Sequence, residues 1–131
     1  MITLTSNDFA GRRILIVEDE FFFAEETAHA VRQAGGVVLG PVASVEEALA
    51  LIDAGQQVDG AVLDIKLGDQ ASFPVARTLR ERGIPLIFVT GYDDWFIPQE
   101  HEDVPLYSKP MDADNVVRVL FEATRRDRDG S

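Results

Sequence analysis

The chain has 131 residues, 46% apolar and 27% charged, which fits one ordinary domain with a packed core and no second. Its net charge of −11 works against direct nucleic-acid binding, and the absence of cysteine removes disulfides and thiolate metal sites. No apolar run approaches the ~20 residues that span a bilayer, and no signal peptide opens the chain, so a cytoplasmic protein is expected.

Read in chain order, short apolar runs alternate with helix-length amphipathic stretches. Residues 13–17 (Arg-Ile-Leu-Ile-Val) form a near-continuous apolar run, the pattern of a strand buried on both faces. From 20 to 34, Phe23, Thr27, Ala30, Val31 and Ala34 recur at helical spacing, and Gly35-Gly36 supplies a stop. Residues 37–43 predict a second strand, placed at an edge by Gly40-Pro41. Ser44-Val-Glu-Glu47 is a capping box opening a helix to about Ala54, with Ala48, Leu49 and Ile52 inward.

Residues 59–64 predict a third strand that ends in Asp64. Ser72 is expected to cap a helix to Arg82, with Pro74 in its first turn. Residues 85–90 form the fourth strand, 104–108 the fifth, and 112–126 the last helix. Between them, Pro98 limits any fourth helix to something short or irregular. Residues 1–11 are expected to be a flexible lead, 12–124 the domain, and 125–131 a solvated tail. The alternation implies a doubly wound α/β fold with helices on both faces of a five-stranded parallel sheet.

In such folds ligands bind beyond the carboxyl ends of the strands. Those ends carry Glu18-Asp19-Glu20, Asp64, Thr90 and Ser108-Lys109-Pro110. Gathered carboxylates need a cation or a proton between them. With oxygen-only ligands a hard cation is expected, and Mg²⁺, which is held by one or two carboxylates plus phosphate oxygens, fits best. Phosphoryl chemistry follows.

The runs Ile14-Leu-Ile-Val-Glu-Asp-Glu20, Val62-Leu-Asp-Ile-Lys-Leu67, Phe88-Val-Thr-Gly91 and Tyr107-Ser-Lys-Pro110 resemble the receiver domains of bacterial two-component response regulators. The resemblance covers roughly residues 12–123, and the run Phe88 to Tyr92 is similar to a subset of alphaproteobacterial single-domain receivers. It implies a flavodoxin-like strand order of 2-1-3-4-5. It implies that Asp64 accepts a phosphoryl group as a carboxylate nucleophile. Asp19 and Glu18 would be the metal-binding acids, with the Lys66 carbonyl as a backbone ligand. Thr90 and Lys109 would bond the phosphoryl oxygens, Gly91 would leave room for the donor, and Lys109-Pro110 would be cis. Lys66 and Tyr92 would flank the path of hydrolytic water, with Tyr92 covering the site.

Three features depart from the family pattern. Glu18 stands where aspartate is usual, Leu106 occupies the common aromatic-switch position, and Tyr107 falls on the opposite face of its strand. A stand-alone phospho-switch is the resulting expectation, not a conventional enzyme. It would take phosphate from a sensor histidine kinase or phosphotransfer protein. It would then act through protein binding or as a phosphate sink, as a monomer or weak homodimer. Trp95, Phe96, Leu106 and Tyr107 are the expected output face, although Trp95 and Phe96 fit burial against the last strand equally well.

Phe21-Phe-Phe23 cannot all face one core; Phe22 is expected near the acidic rim, in a docking surface or beneath a loop. His29 and His101 show no metal or catalytic spacing and are expected in solvent. Two other classes compete: an unphosphorylated receiver-like binding module, and a Mg²⁺-dependent phosphatase with an aspartyl nucleophile. Haloacid dehalogenase-type phosphatases carry a second aspartate two residues on, where this chain has Lys66.

Overall fold

A computed structural model describes residues 9–91 and 96–130, with side chains as far as residue 125. The main sheet is built from β1 (Arg13–Val17), β2 (Val37–Val42), β3 (Gly60–Asp64), β6 (Leu86–Thr90) and β7 (Leu106–Ser108). All four pairings are parallel and the order is β2-β1-β3-β6-β7, the expected doubly wound arrangement. Two short strands that the sequence reading missed, β4 (Lys66–Leu67) and β5 (Gln70–Ala71), form an antiparallel hairpin just after β3. No described helix is long and apolar enough to cross a membrane.

The continuous apolar strands have a simple cause: both faces are covered. Leu15, Val17, Ala61, Leu63, Leu86 and Phe88 face one core, with α2 (Val45–Asp53) and α3 (Phe73–Glu81). Ile14, Ile16, Val62, Ile87 and Val89 face the other, with α1 (Phe21–Gln33) and α4 (Ala113–Gly130). At the edge, β2 takes a register shift opposite Leu15 and Val17. Gly40 makes it possible, with φ of 92° and a Cβ position only 2.7 Å from the Val42 nitrogen.

Helix starts follow the sequence in one case and not in another. The Glu47 N–H donates to Ser44 Oγ at 3.1 Å, the cap expected; in return the Glu47 carboxylate accepts from the Ser44 hydroxyl at 3.1 Å and from the Ala43 N–H at 3.3 Å, one residue before the cap. Ser72 holds the cap position of α3 without capping it. Its ψ of 8° departs from the extended backbone that aims a cap side chain, and its Oγ is buried without a hydrogen-bond partner.

Two further expectations are corrected, and the last helix is longer than expected. Phe9 is fully buried, donates its N–H to the Ala34 carbonyl at 2.7 Å and meets Phe121 edge-on, so packing begins before Arg12. At the other end, α4 continues to Gly130 through residues expected to form a tail. His101 is buried, not solvated. It sits in the 3₁₀ turn Gln99–His101, the helical element described between β6 and β7. Its ring stacks on Phe73 and meets Phe88 edge-on, at centroid distances of 5.8 and 6.1 Å.

Burial pulls the His101 imidazole below its ordinary pKa of 6.5; Arg80 and Arg77 reinforce the shift while Glu100 and Asp103 oppose it. The unfolded chain therefore takes up this proton at a higher pH than the folded one. Stability from neutral His101 is complete above about 6.5 and is lost as pH falls through the lower folded value. Replacing it by His101→Phe removes that dependence. Between about pH 7 and pH 5 the urea midpoint of the variant should fall less than that of the wild type. Equal falls would contradict a buried neutral imidazole.

Candidate functional site

Strand register assembles the site. Val17 pairs with Leu63, which places Glu18 and Asp64 side by side at the carboxyl edge of the sheet. Thr90 pairs with Ser108, and the Lys109 N–H donates to the Thr90 carbonyl at 2.7 Å. Alternation then sorts the side chains. Glu18 follows Ile16, Asp64 follows Val62 and Lys109 follows Tyr107 by two positions, so all three belong to the α1 and α4 face. The Lys109-Pro110 peptide is cis, as the resemblance implies.

The Lys109 ammonium is the centre of the cluster. Its Nζ lies 2.8 Å from Glu18 Oε1, 2.9 Å from Asp64 Oδ2 and 3.0 Å from Glu20 Oε1. Phe23 closes the site from below, its ring centroid 4.5 Å from the same nitrogen. Hydrogen-bond alignment is good toward Asp64 and Glu20. Toward Glu18 the contact is an ion pair without that alignment, so the buried Glu18 Oε1 lacks a hydrogen bond. Glu18 Oε2 accepts the Glu20 N–H at 2.9 Å.

Burial pushes the Glu18 carboxyl up to about 8; Lys109 pulls it down and the neighbouring Asp64 pushes it further up. For Lys109 burial acts to lower the pKa, but pairing with Glu18, Asp64 and Glu20 outweighs it and holds the ammonium above its ordinary value.

The loop after β3 completes the rim. The Lys66 N–H donates to Asp64 Oδ1 at 3.1 Å, and the Gly68 N–H donates to Asp19 Oδ2 at 2.8 Å. Glu18, Asp19 and Asp64 each bring one carboxylate oxygen within 4.8 Å of the others, Asp19 exposed and the other two buried. An open cleft of roughly 380 Å³ above them is lined by Asp19, Glu20, Asp64, Lys66, Gly91 and Lys109. Among the described residues, chain neighbours apart, a Cβ added to Gly91 meets nothing within 4 Å. Donors of one chemistry, three carboxylate oxygens converging within 4.8 Å, fit a hard divalent cation.

Residues 14–120 match the response regulator receiver domain family. The chain belongs to that family. It is similar to the sensory transduction protein LytT of Bacillus subtilis (strain 168), 26% identical over 122 residues that cover 89% of this chain. It spans about half of that relative, 50% of its length. Among solved structures, SdrG from Sphingomonas melonis Fr1 is 32% identical with a TM-score of 0.74, covering 91% of this chain and 98% of that one. The response regulator PhyR from Brucella abortus is 26% identical with a TM-score of 0.77, covering 94% and 51%. A receiver protein from Sinorhizobium medicae WSM419, at 22% identity and a TM-score of 0.76 over 89% and 97%, shares the fold.

Within this receiver domain the sequence-derived residues converge: Glu18, Asp19, Asp64, Lys66, Gly91 and Lys109 border one cluster, with Thr90 buried on the adjoining strand. Tyr92 and Trp95 lie outside the described residues. Phe96 is 79% exposed and Leu106 46%, whereas Tyr107 packs half-buried on the α1 and α4 core, opposite Leu106 as alternation requires. Phe21 and Phe22 both stand in solvent, in edge-on contact at 5.4 Å, and Phe23 turns inward. Sequence reasoning assigned no role to Glu20, Phe23 or Gly68. Glu20 was visible as a strand-end acid, but only the turn into α1 shows that it reaches Lys109.

Lys109 offsets buried negative charge, so Lys109→Ala should cost about 3 kcal/mol of stability by urea unfolding. Adding Asp64→Asn to that variant should restore part of the loss, because a buried carboxylate is no longer left without its cation. A loss under about 0.5 kcal/mol would show that the ion pairs are not set in a buried site.

Proposed function

We propose that Asp64 accepts a phosphoryl group from a histidine kinase or phosphotransfer protein in a Mg²⁺-dependent reaction. The observation that carries this reading is the placement of Asp64. It is buried at the base of an open cleft, with an ammonium 2.9 Å from one oxygen and a carboxylate cluster beside it. An Asp64 oxygen bonds to phosphorus as the bond from phosphorus to the donor imidazole nitrogen breaks. That nitrogen keeps the electron pair, and the aspartate becomes an acyl phosphate.

Glu18, Asp19, Asp64 and the Lys66 carbonyl are the residues that would hold Mg²⁺, which when bound supplies positive charge to the phosphoryl oxygens. The chain's own part is positional. Lys109 meets the transferred oxygens, Thr90 bonds one of them at the end of β6, and Gly91 leaves the approach clear. Asp64 is consumed once per transfer, so the chain acts as a self-phosphorylating and self-dephosphorylating switch, not as a turnover enzyme. Output passes to a protein partner through the surface carrying Phe96 and Leu106, or the chain serves as a phosphate sink; the domain itself is a monomer or weak homodimer. The exposure of both side chains supports a contact surface.

Incubation with acetyl phosphate and Mg²⁺ should add one phosphoryl mass to the intact protein, and none to Asp64→Ala or in the presence of a chelator. No adduct on the wild type would return the chain to an unphosphorylated binding module. Multiple turnover on a phosphate ester would instead favour a phosphatase.

A further inference from the structure

Lys109 has three ammonium hydrogens and three carboxylates around it, those of Glu18, Glu20 and Asp64. Two of the hydrogens are aligned in hydrogen bonds to Asp64 and to Glu20, and the third side of the ammonium is taken by the 2.8 Å ion pair with Glu18. An incoming phosphoryl oxygen needs one of these donors, and the three contacts differ in what their loss costs. The side chains of Glu18 and Asp64 are 2% and 8% exposed, so water cannot replace Lys109 at either. The Glu20 side chain is 60% exposed, and water replaces Lys109 there at small cost.

Among the described residues no other contact explains the direction of the Glu20 side chain. It stands at the cap position of α1 but makes no side-chain cap hydrogen bond. Its carboxylate turns away from the helix and across the cleft to Lys109. Both Glu20 Oε1 and Asp64 Oδ2 contact the same nitrogen, at 3.0 and 2.9 Å. Glu20 therefore lies beside the space that a phosphoryl group on Asp64 would enter.

We propose that Glu20 is a positioning residue that holds Lys109 before phosphorylation and releases it to the phosphoryl oxygens. The inference rests on the phosphoacceptor reading above. It adds a latch: the pair must open before Lys109 can serve the phosphoryl group, so the pair slows transfer to Asp64.

The test is the rate of phosphoryl incorporation from acetyl phosphate with Mg²⁺, followed by intact mass on the full chain for wild type and Glu20→Gln. The neutral variant should be about two- to fivefold faster, the factor expected for freeing a half-exposed ion pair. The gain should appear in the maximal rate and not in the half-saturating donor concentration. Its thermal midpoint should stay near that of the wild type, since the side chain caps nothing. Equal or slower phosphorylation of Glu20→Gln overturns the latch. A gain confined to the half-saturating concentration also overturns it, by showing that Glu20 merely repels the anionic donor. Absence of an adduct on both proteins would overturn the phosphoacceptor reading itself, a result distinct from equal rates.

Discussion

One ammonium group set among three carboxylates is the contact around which the carboxyl edge of this sheet is organised. Glu18 and Asp64 sit on neighbouring parallel strands and are both buried, an arrangement that repels itself unless a cation intervenes. Lys109 supplies that cation from a third strand, and the ring of Phe23 holds it from the α1 side. Moving any one strand by a residue would turn its charged side chain to the opposite face. Strand register, and with it the packing of both cores, is therefore a condition of the charge cluster.

The two faces of the sheet differ in what they support. The α1 and α4 face carries the charge cluster, with Phe23 directly beneath it. The α2 and α3 face carries Phe88, which meets Phe73 and His101 and so ties the segment after β6 to α3. Ions reinforce that tie at the surface. Arg77 makes a two-pronged contact with Glu100, and Arg80 reaches Asp103 and the Glu100 carbonyl. Exposed pairs of this kind each contribute little, about 0–1 kcal/mol. The buried rings do more of the holding, and the ion pairs fix the register of the turn over them.

Much of this was legible in the sequence because the signals were periodic. Apolar runs at 13–17 and 85–90 named their own strands, and helical spacing in α1 placed Phe23, Thr27, Ala30 and Val31 inside, as found. Membership of a doubly wound fold then brought Asp19, Asp64, Thr90 and Lys109 to one edge without any further information. What was not legible depends on tertiary contact. His101 sits in an acidic, proline-containing stretch with no period, and its burial comes from two rings elsewhere in the chain. Ser72 has the right residue type for a cap but the wrong backbone angle, imposed where its N–H bonds the Ile65 carbonyl. Phe9 looked like part of a flexible lead because a lone aromatic carries no period, yet it packs against Phe121 and bonds the Ala34 carbonyl.

The departures from the family pattern fit together in the folded chain. Leu106 occupies the place of the common aromatic and stands half in solvent, while Tyr107 is committed to the α1 and α4 core. Neither offers a buried aromatic on the face of the sheet to which Thr90 belongs. By alternation Thr90 shares that face with Phe88, two residues earlier on the same strand. The aromatic neighbours there are Phe73 and His101, contributed by α3 and the 3₁₀ turn. The end of β6 is therefore part of a strand packed against that turn, and Leu106 on β7 is in register with Phe88 of the same strand. The aromatic packing on this face of the sheet comes from α3 and the 3₁₀ turn, not from β7.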